Sequence, residues 1–333
     1  MNKLLTALAL TGCIFNISCT STAQSQVQNT GKNMINLEKT RPYCIGRYVV
    51  DIPVEAKPLK RFDQYDSFII KVIDNATRQD FDAAVQKRKK EYSEYDWFIT
   101  EDPAEQKNTG RLTKTLKGKK SKDQGSPFTV FGFILDKNTL FLIEGNHSDT
   151  PRFTKESNEA MQHLIKDLRY RAENEIPKEN GQCIYQGFIK DNDKIFRYSE
   201  QSLGFDFEKY PTLVLRFKSE TTFDVVTPLI PRIEQNLKKA GLGRLIAPAT
   251  IRKGEKNTQH LTGQEWISVQ KMTGKNGISA VWEHVGTTRK NQDPLIEFET
   301  DTGYETQENK SASLAQVDAL KLYESILKTI RKF

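Results

Sequence analysis

Apolar and polar residues along this chain pass through the same order of predicted elements twice. In the first half, Cys44 to Ile52 reads as a strand ended by Pro53, since valine, isoleucine and tyrosine dominate it and proline cannot continue a ladder. Ser67 to Ile73 is a second, β-branched strand. Thr77 is placed to cap a helix from about Arg78 to Tyr92, in which Phe81, Ala84, Val85 and Arg88 share one face. Phe128 to Leu135 and Thr139 to Glu144, parted by Asp136-Lys137-Asn138, give the clearest hairpin pattern. A helix from about Lys155 to Glu173 closes the half, capped by Thr154 or Ser157, with Ala160, Leu164 and Leu168 as its inner stripe.

The second half repeats the plan. Cys183 to Lys190 and Thr212 to Lys218 read as strands, and Thr222 precedes a helix from Phe223 to Ala240. Pro228 and Pro231 are tolerable there only near the first turns. Glu265 to Lys271, Ile278 to His284 and Leu295 to Thr300 are further strands of alternating character. Ser313 is expected to cap the last helix, with Val317, Leu320, Tyr323, Ile326, Leu327 and Ile330 on its buried face. The pattern therefore predicts an α+β fold of two related domains, each an antiparallel sheet packed against helices. Their expected limits are residues 41–175 and 182–333, with a Pro177-containing linker over residues 176–181. Cys44-Ile45 and Cys183-Ile184, each followed by glycine and an apolar run, open the two copies.

The ends add a compartment. Residues 1–23 carry a basic residue, an apolar stretch and the small residues Ser21-Thr22-Ala23, the pattern of a cleaved export signal. The stretch is too short for a membrane-spanning helix. Residues 24–40 read as a polar, flexible leader. A lipid anchor at Cys19, or at Cys13, is the alternative to soluble export, and every version leaves the cytoplasm.

The 333 residues carry 50 Lys+Arg against 43 Asp+Glu, a formal charge of +7. Both signs are interspersed nearly everywhere, which is a solvated surface rather than a nucleic-acid face. Length and charge thus point to two ordinary domains and no nucleic-acid partner.

Motifs for catalysis are missing from the sequence. His147, His163, His260 and His284 lack metal-ligand spacing, and there is no nucleophile elbow, P-loop or dinucleotide fingerprint. Glu265 and Glu283, beside Trp266 and Trp282 on neighbouring strands, could be paired carboxylates, but the solvent side of a sheet is the commoner place for such residues. No catalytic, metal or cofactor residue is assigned. Cys44 and Cys183 occupy equivalent places, and in an oxidising compartment a disulfide between them is favoured over two separate buried thiols.

Residues 107–122 are the strongest local anomaly, with Lys107, Arg111, Lys114, Lys117, Lys119, Lys120 and Lys122 and no acid. With Gly118 and the Gly125-Ser126-Pro127 block they read as a mobile turn. Lys114, Lys117, Lys119 and Lys120 are candidate contacts for an acidic partner or anionic headgroups, and Tyr95 and Trp97 just upstream are candidate aromatic anchors.

Three stretches carry a family resemblance: Arg41-Pro42-Tyr43-Cys44-Ile45-Gly46-Arg47-Tyr48 with Val49 to Pro53, Cys183-Ile184-Tyr185-Gln186-Gly187-Phe188-Ile189, and Gly263-Gln264-Glu265-Trp266 followed by Val281-Trp282-Glu283 and Gly286. Together with the helix from Ser313 to Arg331, they make the chain resemble the immunity proteins that neutralise type VI secretion lipase effectors. That resemblance implies a periplasmic protein whose two domains act as a clamp on a lipase or phospholipase, obstructing its active-site entrance or lid. The competing class is an exported envelope module that binds lipid or cell-wall ligands without a toxin partner.

Overall fold

The computed structural model describes residues 35–93, 98–102, 111–119, 126–239, 249–303 and 309–333; the expected signal peptide, Cys13, Cys19, Tyr95, Trp97 and Lys120 lie outside them. The first half runs β1 (Thr40–Ile45), β2 (Tyr48–Pro53), β3 (Ala56–Tyr65), β4 (Phe68–Asp74), α1 (Arg78–Ser93), β5 (Phe98–Asp102), β6 (Leu112–Lys119), β7 (Phe128–Asp136), β8 (Thr139–His147), α2 (Pro151–Asp167) and β9 (Leu168–Tyr170). The second runs β10 (Gly181–Ile184), β11 (Gly187–Lys190), β12 (Ser199–Phe207), β13 (Val214–Glu220), α3 (Leu229–Lys239), β14 (Thr250–Glu255), β15 (Gln264–Gln270), β16 (Gly277–His284), β17 (Leu295–Asp301), α4 (Gln316–Leu327) and β18 (Arg331–Lys332).

Twelve of these strands form one sheet, in the order β14-β15-β16-β17-β13-β12-β3-β4-β8-β7-β6-β5. All its pairings are antiparallel. The chain is an α+β protein of two domains, and the join between them is the β3–β12 pair, which sets Ser199 opposite Tyr65 and Phe207 opposite Ala56 around a bulge at Leu203/Phe205.

One face of the sheet is covered from β15 to β6. Over the second-half strands, α4 packs Leu322, Tyr323 and Ile326 against Phe217, Trp282 and Phe298. Over the first-half strands, α2 packs Met161 and Leu164 against Phe68, Val130 and Phe141. The opening hairpins complete these cores crosswise. Tyr43, Ile45, Tyr48, Val50 and Ile52 of β1–β2 lie in the α4 core, whereas Ile184 and Ile189 of β10–β11 lie in the α2 core. Each apolar side chain buried this way contributes roughly 1.5–3 kcal/mol of transfer free energy, so the exchanged hairpins bind the domains strongly.

The hairpins touch where they cross. Cys44 and Cys183 are disulfide-bonded, with an S–S distance of 2.07 Å and Cα atoms 5.7 Å apart. Gly46 N–H donates to the Cys183 carbonyl at 3.0 Å and Cys183 N–H returns a bond to the Gly46 carbonyl at 2.7 Å. Gly46 has φ +57°, and a Cβ there would stand 2.5 Å from Ser219 Oγ, so the turn needs glycine for both conformation and space.

Several expected elements have different limits. Cys44 to Ile52 is two strands, because Gly46 turns the chain back on itself, and Cys183 to Lys190 folds the same way about Gln186, at φ 47°. Helix α2 starts earlier than expected: Thr150, not Thr154 or Ser157, caps it by accepting from Phe153 N–H at 3.5 Å, and Pro151 suits the first turn. Helix α3 begins only at Leu229, after Pro228. Ser313 does not cap α4. Its hydroxyl lies 2.8 Å from Thr212 Oγ1, and Ala315 holds the cap position without a side-chain bond. Val317 is 63% exposed instead of buried. Thr77 does cap α1, in a reciprocal box with Asp80 (Asp80 N to Thr77 Oγ1 3.3 Å, Thr77 N to Asp80 Oδ2 2.8 Å).

Candidate partner-binding face

The second face of the long sheet carries only α1 and α3 among the described elements. At one end, Phe81, Val85 and Tyr92 of α1 pack on Leu116, Phe131, Phe133 and Leu140. At the other, α3 is pinned by Ile230 N–H donating to Gln264 Oε1 at 3.1 Å, by Arg232 on Glu283, and by Lys253 on Glu234 at 2.6 Å. Strand register shows that both helices lie on one side. Ile69 sits opposite Gln64 on β4–β3, and two residues along, Phe62, Ser202, Lys218, Glu297 and Glu283 follow each other across five strands to α3.

Between the helices none of the described residues covers the sheet surface. A depression of about 640 Å³ has a floor of Leu59, Phe62, Gly204 and Val214 and walls of Glu200, Arg216, Lys218, Glu297 and Glu299. A second one of about 410 Å³, bordered by Ile69, Lys71, Lys87, Arg88 and Glu144, continues toward α1. Leu59 and Ile69 are 44% and 41% exposed. Large apolar side chains left bare on the central strands of a sheet, where the opposite face is fully packed, mark an interaction surface.

Charges on this face are dense and interlocked. Lys218 Nζ stands 2.6 Å from Glu220 and 3.6 Å from Glu200. The Tyr198 hydroxyl shares its proton between the same carboxylates, at 2.9 and 3.0 Å, and burial plus those charges push its phenol far up. Burial alone would depress Lys218, but the Glu220 hydrogen bond and the charges of Glu220, Glu200 and Glu297 raise it instead. Arg216 pairs with Glu299 at 3.1 Å. Burial, reinforced by Glu299 and Glu283, raises Glu297, and burial also raises Asp301.

Glu265 and Glu283 are buried, 3% and 1% exposed, rather than on a solvated side. They also point to opposite faces. Glu265 meets Arg252 at 2.5 Å and accepts from the Tyr323 hydroxyl at 3.2 Å under α4, whereas Glu283 meets Arg232 under α3. The arrangement cannot serve as an acid/base pair. Among the described residues no three metal-ligating side chains converge.

Within the basic stretch, Leu112–Lys119 is a strand, and the turn expected to follow it falls mostly on residues 120–125, outside the described residues. Alternation splits its lysines: Lys114 pairs across from Phe133 on the α1 side, while Lys117 and Lys119 pair with Val130 and Phe128 on the α2 side. Lys117 and Lys119 lie 4.2 and 5.3 Å over the Phe128 ring, and Lys119, only 7% exposed, binds Asp149 at 2.8 Å. Desolvation lowers Lys117. The open face was not singled out from sequence, although its signal is present. In Val214-Leu215-Arg216-Phe217-Lys218 and Ile296-Glu297-Phe298-Glu299, apolar residues alternate with charges of one face.

The fold and this face define a two-domain α+β binding protein. Models of the Tle cognate immunity protein 4 N-terminal and C-terminal domains match residues 41–177 and 175–332. The chain belongs to that family of type VI secretion immunity proteins. Its fold is similar to that of the immunity protein TplEi of Pseudomonas aeruginosa, solved in the apo state and with an "L" peptide: in each case the TM-score is 0.71 at 20% identity, over 89% of this chain and 99% of the other. A Tle4–Tli4 complex gives 0.72 at 20% identity, over 89% and 98%. No curated protein matches the chain in sequence.

Proposed function

We propose that this protein is a non-enzymatic periplasmic immunity protein that binds a cognate type VI lipase effector on the open sheet face between α1 and α3, and so obstructs the entrance or lid of the lipase active site. The observation that carries the reading is that, among the described residues, nothing covers the centre of this face of the twelve-stranded sheet, with Leu59 and Ile69 bare between two flanking helices. Family membership supplies the partner class. The similar structures, a Tle4–Tli4 complex and TplEi with an "L" peptide, support a protein or peptide segment as the occupant. The two helices would act as the arms expected of a clamp. The stretch around Lys114 and Lys117, with Lys120, Tyr95 and Trp97, is retained as a proposed second contact.

No described helix is long and apolar enough to cross a membrane, and periplasmic placement rests on the export signal read in residues 1–23. Co-purification with the product of the adjacent gene, followed by a phospholipid hydrolysis assay with increasing immunity protein, tests the reading. Stoichiometric inhibition is expected. Retention of full lipase activity at saturating protein would refute it, and binding of envelope lipid without any effector would favour the envelope module instead.

A further inference from the structure

Resting on the proposed effector-binding role, the charge and shape of the open face together say what kind of surface it accepts. The floor between β3 and β13 is apolar, from Leu59, Phe62 and Val214, and its flank on β17 is acidic. Glu297, Glu299 and Asp301 project in a row from β17, with Glu283 beside Glu297 on β16. The cations nearest these carboxylates already have partners: Lys218 pairs with Glu220 and Glu200, Arg216 with Glu299, and Arg232 with Glu283. Among the described residues, the Asp301 carboxylate receives only the Gly303 backbone N–H, at 2.8 Å, and Glu297 has neither an ion pair nor a hydrogen bond.

We propose that this face docks a cationic amphipathic segment of the effector, its apolar side on Leu59, Phe62 and Val214 and arginine or lysine side chains against Glu297 and against Asp301. A half-buried carboxylate beside like charges is an unfavourable arrangement in the free protein. Burial raises both Glu297 and Asp301, with the charges of Glu299 and Glu283 adding to it at Glu297. Sequences that only had to fold would neutralise such positions. Residues that lower stability without a local compensation tend to be those whose partner is another molecule. An incoming guanidinium would add the missing positive charge where water is already partly excluded, which favours both steering and retention.

The experiment uses the full mature chain and the co-encoded effector. Glu297→Gln and Asp301→Asn, singly and together, keep the shape of the face and remove charge. Wild-type protein should bind the effector with an affinity that falls as salt rises. The double variant should bind at least tenfold more weakly, with a slower association rate and a flatter salt dependence, while its melting temperature stays equal or rises. Leu59→Ser should weaken binding without changing the salt dependence. Equal affinity and equal salt dependence in the double variant, with wild-type binding intact, would overturn the cationic-segment inference and leave the effector-binding role standing. Absence of wild-type binding would overturn both. A double variant that melts lower than wild type would contradict the claim that these half-buried carboxylates destabilise the free protein.

Discussion

Removing the Cys44–Cys183 bond by the paired change Cys44→Ala/Cys183→Ala tests the physical role of the crossing hairpins. The bond spans 139 residues of sequence. On the chain-entropy relation, closing a loop of that length restricts the unfolded chain by about 5 kcal/mol at 25 °C. The native state should survive, because the crossed hairpins still bury Tyr43, Ile45, Tyr48, Val50, Ile184 and Ile189 in the two cores and the paired Gly46–Cys183 backbone bonds remain. For a folded unit of about 300 residues, 5 kcal/mol corresponds to a fall in melting temperature of about 8 °C. Alanine is the right replacement: both sites are buried, at 2% and 0% exposure, and a serine hydroxyl there would be desolvated. The assay is guanidinium unfolding of the variant against oxidised wild type, with native circular dichroism as a check on the fold. A loss below about 1 kcal/mol with an unchanged m-value would refute the claim that the bond acts through long-loop closure. Loss of native structure in dilute buffer would show that the bond, and not crosswise burial, holds the hairpins.

Other consequences are equally direct. Gly46→Ala should cost about 1–2 kcal/mol from the left-handed conformation alone, and more because the new methyl meets Ser219; adding Ser219→Gly should recover the second part only, measured by urea unfolding. Arg232→Ala strands the buried Glu283 carboxylate and should destabilise by about 3 kcal/mol or more, whereas Arg216→Ala, on the half-exposed Arg216–Glu299 pair, should cost under about 1 kcal/mol. Glu297 has its folded-state pKa raised, so the folded state binds the extra proton and this residue's stability contribution falls as pH rises through that pKa. Glu297→Gln should therefore gain most over wild type near neutral pH and lose that advantage in acid, read as melting temperature across a pH series.

Much of the fold was legible because its local signals agree with its tertiary ones. Thr77 and Asp80 bracket α1, and Phe128 to Glu144 alternates as a hairpin should. The hidden elements are those whose strand character comes from neighbours. Strand β3 contains Pro58 and several charges, and its open-face positions carry a bare Leu59 and a half-buried Phe62, so nothing in its own sequence says that it joins two domains. Strand β12 alternates well, but half of each period is polar, because one face is packed on the core and the other is left open. The lysines of β6 suggested a loop. The strand is held by Thr113, Leu116 and Gly118, and Tyr92 lies so close to Gly118 that a Cβ there would be 1.6 Å from the ring.

The cysteines were placed correctly at the start of each copy, yet sequence could not show that each copy's opening hairpin is buried in the other's core. That exchange is a long-range packing choice, invisible to periodicity. The binding face escaped for a related reason. Its residues are spread over β3, β4, β12, β13 and β17 and meet only when the two halves share a sheet. A cluster of charge along sequence, at residues 107–122, drew attention to one strand; a cluster in space lies elsewhere.

The central claim is that the effector sits on the open face between α1 and α3. The most direct measurement compares two exposed sites by titration calorimetry with the co-encoded effector: Leu59→Arg on the open face and Val317→Arg on the outer side of α4, at 44% and 63% exposure. Neither side chain is part of a packed core, so both variants should melt like wild type. Leu59→Arg should abolish or weaken binding by a hundredfold or more, about 2.7 kcal/mol, and release the lipase from inhibition, while Val317→Arg should bind and inhibit like wild type. Full binding by Leu59→Arg, or loss of binding by Val317→Arg alone, would place the effector on another surface and contradict the account.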